Sequence, residues 1–263
     1  MAMVCPLYSG SSGNSTFVGN SDGGILVDVG VSCKAVKTGL ECIGQSIEHI
    51  RAIFITHEHI DHIRGLKVLL KHFKIPLFAS AGTLDFLDEN NCLPPNCELS
   101  VISSEGQYID GMHITPFHTP HDAAESMGFS ITTSSGRRIC IATDLGFVTE
   151  EVRQNLLGSD LVVLESNYDK RMLECGGYPY YLKRRILGQT GHLSNDHCAE
   201  ELCYLANNGT TRFFLAHLSR ENNVPELALE TAKAQLSSGG FELGSDYLLE
   251  VASRSAPSRP MLL

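Results

Sequence analysis

The sequence predicts a mixed α/β fold, two sheets with helices on their outer faces, and three observations carry that expectation. Short apolar runs rich in Ile and Val alternate with helix-like segments at both ends of the chain. Residues 98–141 break that alternation with short strands separated by Gly, Ser and Asp turns. No Pro/Gly/Ser-rich linker and no fixed-period repeat divides the interior, so the 263 residues read as one domain, 1–263.

Taken in order, GILVDVG (24–30) and RAIFIT (51–56) are expected strands. Leu66, Leu69, Leu70 and Phe73 follow the i, i+3, i+4, i+7 spacing of an amphipathic helix, which predicts a helix over 63–73. PLFAS (76–80) is the next strand and TLDFLDEN (83–90) a short helix. LSVIS, MHITPFHT, MGFSITT and RRICIAT then form an expected β-rich meander. The alternation resumes with helix 149–157, strand 160–166, helices 180–187 and 195–206, strand 212–217, helix 225–236 and strand 247–252. The tail 253–263, SRSAPSRPMLL in its last eleven residues, is expected to be frayed and flexible.

A net charge of −10 argues against a protein that coats nucleic acid through a broad basic surface, but not against an enzyme with a local cationic cleft. Bound divalent ions would cancel several of those charges where they matter. The nine cysteines are odd in number, and no C-x-x-C pair occurs; Cys92 and Cys97 flank LPPN without a second pair to complete a zinc knuckle. Reduced thiols in a cytoplasmic protein are the expectation. MAMVCPLYSGSSGNS has no signal-peptide pattern, and no apolar run approaches the length of a membrane span.

The densest chemistry lies in FITHEHIDHIRGL (54–66), where His57, His59, Asp61 and His62 fall within six residues after an apolar run. Packing three imidazoles and a carboxylate together without partners is unfavourable. Zinc-type ions take imidazole nitrogen and carboxylate oxygen at about 2.0–2.2 Å, and a catalytic ion keeps a position open. The spacing excludes H-E-x-x-H, because the position four after His57 is Asp61. Further donors end predicted strands: His121 in HTPHDAA, Asp144 after RRICIAT, and His217 closing RFFLAH. The grouping expected is His57, His59 and His121 for one ion and Asp61, His62 and His217 for another, with Asp144 bridging.

H-x-H-x-D-H followed by a His, an Asp and a late His resembles the signature of the metallo-β-lactamase superfamily. SGSSGNS (9–15), ATDLGFVTEEV (142–152), VVLESNYD (162–169), YLKRRIL (181–187), GHLSN (191–195) and FLAHLSRENN (214–223) resemble its bacterial YycJ/WalJ-type subgroup, related to the RNase Z and β-CASP nucleases. The resemblance implies a four-layer αββα sandwich with a dinuclear site at one edge, holding two divalent ions, Zn first, with Mn or Fe as alternatives. It implies a metal-dependent hydrolase, a phosphodiesterase or exonuclease on DNA or RNA. In such a site a pair of ions brings water toward a neutral-pH nucleophile.

The same resemblance assigns further residues. His192 would lie beside the scissile phosphate and protonate the leaving oxygen, and Asp61 would orient the attacking water while ligating metal. Asp28 would orient the site loop from behind the ligands. The family pattern selects His121 over His118, leaving His118 on the substrate side or the surface. Lys183, Arg184 and Arg185 form the only compact basic triplet and are expected at substrate phosphates, against the plainer reading of a solvated helix face. Asn14 is expected to face substrate; Glu165 and Asn167 stand as either site residues or ordinary strand-end polar groups. The competing functions are a small-molecule hydrolase of esters, thioesters, lactones or cyclic phosphodiesters, an iron redox protein, and a binding protein with a dead site.

Overall fold

The computed structural model describes residues 1–263 and arranges fourteen strands in two sheets of seven. In the first half of the chain β1 (Met3–Tyr8), β2 (Ser15–Asn20), β3 (Gly23–Val27), β4 (Ile50–Phe54), β5 (Leu77–Ala79) and β6 (Leu99–Val101) lie side by side in that order. The second sheet runs from β7 (Gln107–Ile109) through β8 (Met112–His118), β9 (Met127–Thr132), β10 (Arg138–Ala142), β11 (Leu161–Glu165) and β12 (Arg212–Ala216) to β13 (Leu248–Val251). A last strand, β14 (Met261–Leu262), returns to the first sheet beside β1. Strands β3 to β6 are mutually parallel, as are β10 to β13, whereas β7 to β10 form an antiparallel meander.

The period of two along each strand makes the layers. Ile25 and Val27 of β3 face the second sheet while Leu26 faces outward; Leu161 and Val163 of β11 face the first sheet while Val162 and Leu164 face outward. Both faces of these strands are apolar because both are covered. Over the first sheet lie α1 (Cys33–Cys42), α2 (Ile60–Ile63), α3 (Leu66–His72) and α4 (Ala81–Glu89), which add Val36, Leu40, Ile63, Leu66, Leu69, Leu70 and Leu87 to its outer core. The second sheet is covered by α5 (Glu150–Leu156), with α6 (Lys170–Cys175) and α7 (Tyr180–Ile186) to one side, and by α8 (Asn195–Asn207) and α9 (Pro225–Ser238). The order helix, sheet, sheet, helix is the αββα arrangement expected.

Three expectations are corrected. The helix over 63–73 is two helices broken at Arg64 and Gly65. Gly65 passes so close to the chain after β3 that a Cβ would lie 1.9 Å from the Val31 carbonyl oxygen. The meander starts later than LSVIS: β6 pairs in parallel with β5 in the first sheet, and the hairpin partner of β8 is β7. The tail 253–263 is folded down. Met261 is buried, Met3 and Val4 pair with Leu262 and Met261, and Ala2 and Leu263 exchange backbone hydrogen bonds of 3.1 and 2.9 Å. Without β14, β1 would be an exposed edge with unpaired backbone donors.

Candidate metal centre

Asp28, Thr56, Asp144, Glu165 and His217 all lie within two residues of the C-terminal ends of strands, those of β3, β4, β10, β11 and β12 in turn. Parallel strands put those ends at one edge of the sandwich, where loops can converge. Asp28, Asp144 and His217 have φ of 66°, 57° and 57°, three of the six non-glycine residues in the left-handed region. That conformation costs roughly 1–3 kcal/mol for such residues and is kept where the surroundings fix it.

Four of the five ligand-type imidazoles, His57, His62, His121 and His217, are held from behind by Nδ1, whereas His59 turns its Nδ1 toward His121 Nε2 at 3.2 Å. The His62 Nδ1–H donates to Asp28 Oδ2 at 2.7 Å, with both side chains buried. Asp28 also accepts from the Thr56 N–H at 2.9 Å and from its hydroxyl at 2.9 Å. The Thr56 hydroxyl oxygen lies 3.1 Å from His57 Nδ1. His121 Nδ1 donates to the Gly191 carbonyl at 3.0 Å, and His217 Nδ1 to Glu165 Oε1 at 2.7 Å. These partners assign the proton to Nδ1 and leave the Nε2 lone pair aimed at the common centre, the arrangement that orients metal-ligating histidines.

The inward atoms fall into overlapping groups, each within 4.8 Å across: His57, His59 and His121; His57, His62 and Asp144; Asp61, His62 and His217; and Asp144, Glu165, His192 and His217. His57 Nε2 and Asp144 Oδ2 are buried and have no hydrogen-bond partner, although the Asp144 oxygen lies 3.3 Å from His62 Nε2. A buried polar atom left unsatisfied costs about 1–3 kcal/mol. A divalent ion would satisfy both, so the donor set fits the metal that the residue types suggest.

Charge points the same way. Asp28 and Asp144 are buried, Asp61 is largely so, and Glu165 is fully enclosed. Burial alone pushes the His62 imidazole down, yet Asp28, Asp144 and Asp61 together lift it to about 9. His217 is likewise raised against its burial by Asp144, Asp61 and Glu165. His57 is held well below the ordinary imidazole range, by burial first and then by its imidazole neighbours. The carboxylates therefore draw positive charge into the cluster, and His57 stays a neutral donor.

Around this set the loops are tightly fitted. Gly30 lies between the first loop and α2: its N–H donates to Asn14 O at 2.7 Å, the Asn14 N–H donates to Asp61 O at 2.8 Å, and a Cβ on Gly30 would lie 1.7 Å from that Asp61 oxygen. The Asn14 side chain is buried. Its Oδ1 accepts from the Gly10 N–H, and its Nδ2 approaches His62 Nε2 at 3.1 Å and Asp61 Oδ2 at 3.4 Å. Asn14 thus forms part of the floor of the cluster, beside His62 and Asp61. Ser9 Oγ accepts from the His217 N–H at 2.8 Å, and Glu58 Oε1 accepts from the Ala124 N–H at 2.7 Å.

His192 sits at the rim with its side chain 15% exposed; Nδ1 donates to Glu165 Oε1 at 2.8 Å, which turns Nε2 outward. Its ring centroid lies 5.1 Å from that of His121 and 5.3 Å from that of His217. Glu165, left open by sequence reasoning, is the hub of this side. It accepts from His192, from His217, and from the Leu145 and Leu193 N–H groups at 3.0 and 3.1 Å. Burial pushes its carboxyl up, but the imidazoles of His192 and His217 outweigh that and hold it well below the ordinary carboxylate range. The available signal was a charged residue closing an apolar strand, as Asp144 and His217 also do.

The basic triplet divides. Arg185 pairs with Asp122 through Nη2–Oδ1 at 2.8 Å, and Asp122 Oδ1 lies 3.5 Å from His121 Nε2, so this guanidinium is at the rim. Lys183 instead donates to the Glu174 carbonyl at 2.8 Å, and Arg184 is exposed without an ion pair. Of the three residues expected at substrate phosphates, the structure brings Arg185 to the rim and not Lys183, because on a helix only one stripe can face it. His118 is exposed, as expected of the non-ligand of the pair.

Residues 25–218 match the family described as the beta-lactamase superfamily domain. Over 254 residues, 96% of either chain, the sequence is 32% identical to exodeoxyribonuclease YycJ of Bacillus anthracis. It is 33% identical to exodeoxyribonuclease WalJ of Streptococcus pneumoniae serotype 2 across 92% of this chain and 90% of that one. Among solved structures, Zn(2+)-bound PqqB from Methylobacterium extorquens superposes with a TM-score of 0.72 at 17% identity, covering 98% of this chain and 100% of the other.

Proposed function

Because this chain belongs to the metallo-β-lactamase superfamily, in its YycJ/WalJ-type branch, we propose that it is a metal-dependent phosphodiesterase that cleaves nucleic acid, with DNA as the first substrate and exonucleolytic action as in the relatives' names. The observation that carries this reading is the pair of adjoining donor groups, His57 with His59 and His121 and Asp61 with His62 and His217, with Asp144 reaching one member of each, His121 at 3.8 Å and His62 at 3.3 Å, together with the unpartnered His57 Nε2.

His57, His59 and His121 would hold one divalent ion and Asp61, His62 and His217 the other, with Asp144 between them. Zn suits this imidazole and carboxylate set best; Mn or Fe is also compatible. When bound, the ions would activate water and neutralise the phosphate oxygens that gain charge. Asp61 is the ligand-type carboxylate with solvent access, its side chain 18% exposed, and so is suited to orient the attacking water. His192 offers its outward Nε2 as the proton donor to the departing oxygen, and Glu165 fixes the ring through Nδ1. Arg185 would meet a non-bridging phosphate oxygen by exchanging its Asp122 partner.

No helix is long and apolar enough to cross a membrane, and nine unpaired thiols suit a cytoplasmic setting. The test uses the metal-analysed protein on labelled single- and double-stranded DNA, on RNA and on bis-p-nitrophenyl phosphate. Chelator-sensitive hydrolysis of DNA, lost in His57→Ala, is expected. Hydrolysis confined to thioesters, lactones or cyclic phosphodiesters would transfer the assignment to a small-molecule hydrolase, and full activity in His57→Ala would overturn it.

A further inference from the structure

The outward face of α7 is unusual in composition. Leu182 and Ile186 turn inward onto Tyr168, Leu173 and Tyr178. The opposite stripe is Tyr180, Tyr181, Arg184 and Arg185, all exposed, with the two tyrosines 74% and 75% accessible. On a helix this is two i, i+4 pairs, Tyr180 with Arg184 and Tyr181 with Arg185, an aromatic ring one turn ahead of each guanidinium. The Arg185 end is anchored at the metal centre through Asp122, beside His121. Beyond that end, Gly146 fits against the 188–189 turn, where a Cβ would lie 2.2 Å from the Gln189 carbonyl oxygen, and the next residue, Phe147, is 42% exposed.

We propose that this face of α7 is a stacking track for single-stranded nucleic acid, which guides an unpaired strand between the metal centre and Tyr180. The inference rests on the nuclease reading and names the strand form that the site takes. Unpaired bases expose their π-faces to aromatic side chains, and arginines beside the rings take the phosphates. A duplex keeps all but its terminal bases stacked on one another, so it gains little from two consecutive exposed rings. The balance of charge makes the rings matter more: a chain of net charge −10 cannot rely on backbone attraction alone.

The experiment compares Tyr180→Ala, Tyr181→Ala and the matching Tyr→Phe variants of the metal-loaded protein. KM and kcat are measured on a single-stranded oligonucleotide and on a blunt duplex, with sedimentation run in parallel. Each alanine variant is expected to raise KM for the single strand by about 5- to 150-fold, the range for loss of one base–ring stack. The duplex should change by less than threefold, and phenylalanine should restore the single-strand value. Equal loss on both substrates, no loss on either, or an alanine variant that dissociates a dimer while single-strand KM stays constant would each overturn the track. If the wild-type protein hydrolyses no nucleic acid, the nuclease reading itself fails; if it does and the alanine variants match it, only the track fails.

Discussion

Asp28→Asn should weaken metal binding without unfolding the protein. Both Asp28 oxygens face donors: Oδ1 takes the Thr56 N–H at 2.9 Å, and Oδ2 takes His62 Nδ1 at 2.7 Å and the Thr56 hydroxyl at 2.9 Å. An asparagine offers one acceptor and one NH2, so one of those donors must meet another donor. If the NH2 faces His62, the ring keeps a partner only by moving its proton to Nε2, which removes the lone pair from the centre. If it faces Thr56, the strand end that carries His57 loses its anchor. The φ of 66° is itself no obstacle, because asparagine tolerates the left-handed region. Loss of a partner that orients a ligand typically lowers metal affinity by about 10- to 100-fold, or ~1.4–2.7 kcal/mol at 1.36 kcal/mol per decade. Competition for Zn against a chromophoric chelator, with urea unfolding of the metal-stripped protein as control, measures this directly. An affinity within twofold of wild type would show that Asp28 does not govern how His62 points.

Gly30→Ala should destabilise by about 1–3 kcal/mol in urea unfolding, as overpacked sites do, because its Cβ would lie 1.7 Å from the Asp61 oxygen and 2.6 Å from the Asn14 nitrogen. In native alkylation followed by mass spectrometry, Cys42 and Cys175, which are exposed, should be modified. Cys5 and Cys140, buried thiols pushed up to about 12, should react only after unfolding, as should the enclosed Cys198. Asp160 accepts from the Arg138 N–H and pairs with Arg137. Burial pushes its carboxyl up, and these two partners bring it below its ordinary value. Its contribution is therefore present above the unfolded carboxylate pKa of about 3.9 and lost as pH falls through the lowered one. Wild type and Asp160→Asn should differ in unfolding midpoint at pH 6 and converge toward pH 2.

The residues that form the centre could be read from sequence wherever chemistry was concentrated or punctuated a strand. His57 to His62 are too crowded for any apolar role, and His121, Asp144 and His217 each follow an Ile-, Leu- or Phe-rich run. What escaped were groups whose importance exists only through space. Glu165 is an unremarkable strand-end residue until the chain brings His192 and His217 to it from 27 and 52 residues away. The first two strands were hidden by Pro6 and by the small polar residues after Tyr8, and α1 carries only Val36 and Leu40 as fully buried apolar anchors. The tail reads as disordered because two residues of strand have no period to detect; the reason for β14 lies in the open edge of β1.

The donors come from both halves of the sandwich. His57, His59, Asp61 and His62 follow a strand of the first sheet, and His121, Asp144 and His217 follow strands of the second. Their separation is thus set by whatever fills the gap between the sheets, where Phe54 of β4 meets Phe129 of β9 edge-on at 5.5 Å and Phe78 stacks behind at 5.0 Å. Three phenyl rings that supply no ligand atom gauge the distance between the two donor sets. A thinner or thicker side chain there would shift one donor set relative to the other without touching a single ligand.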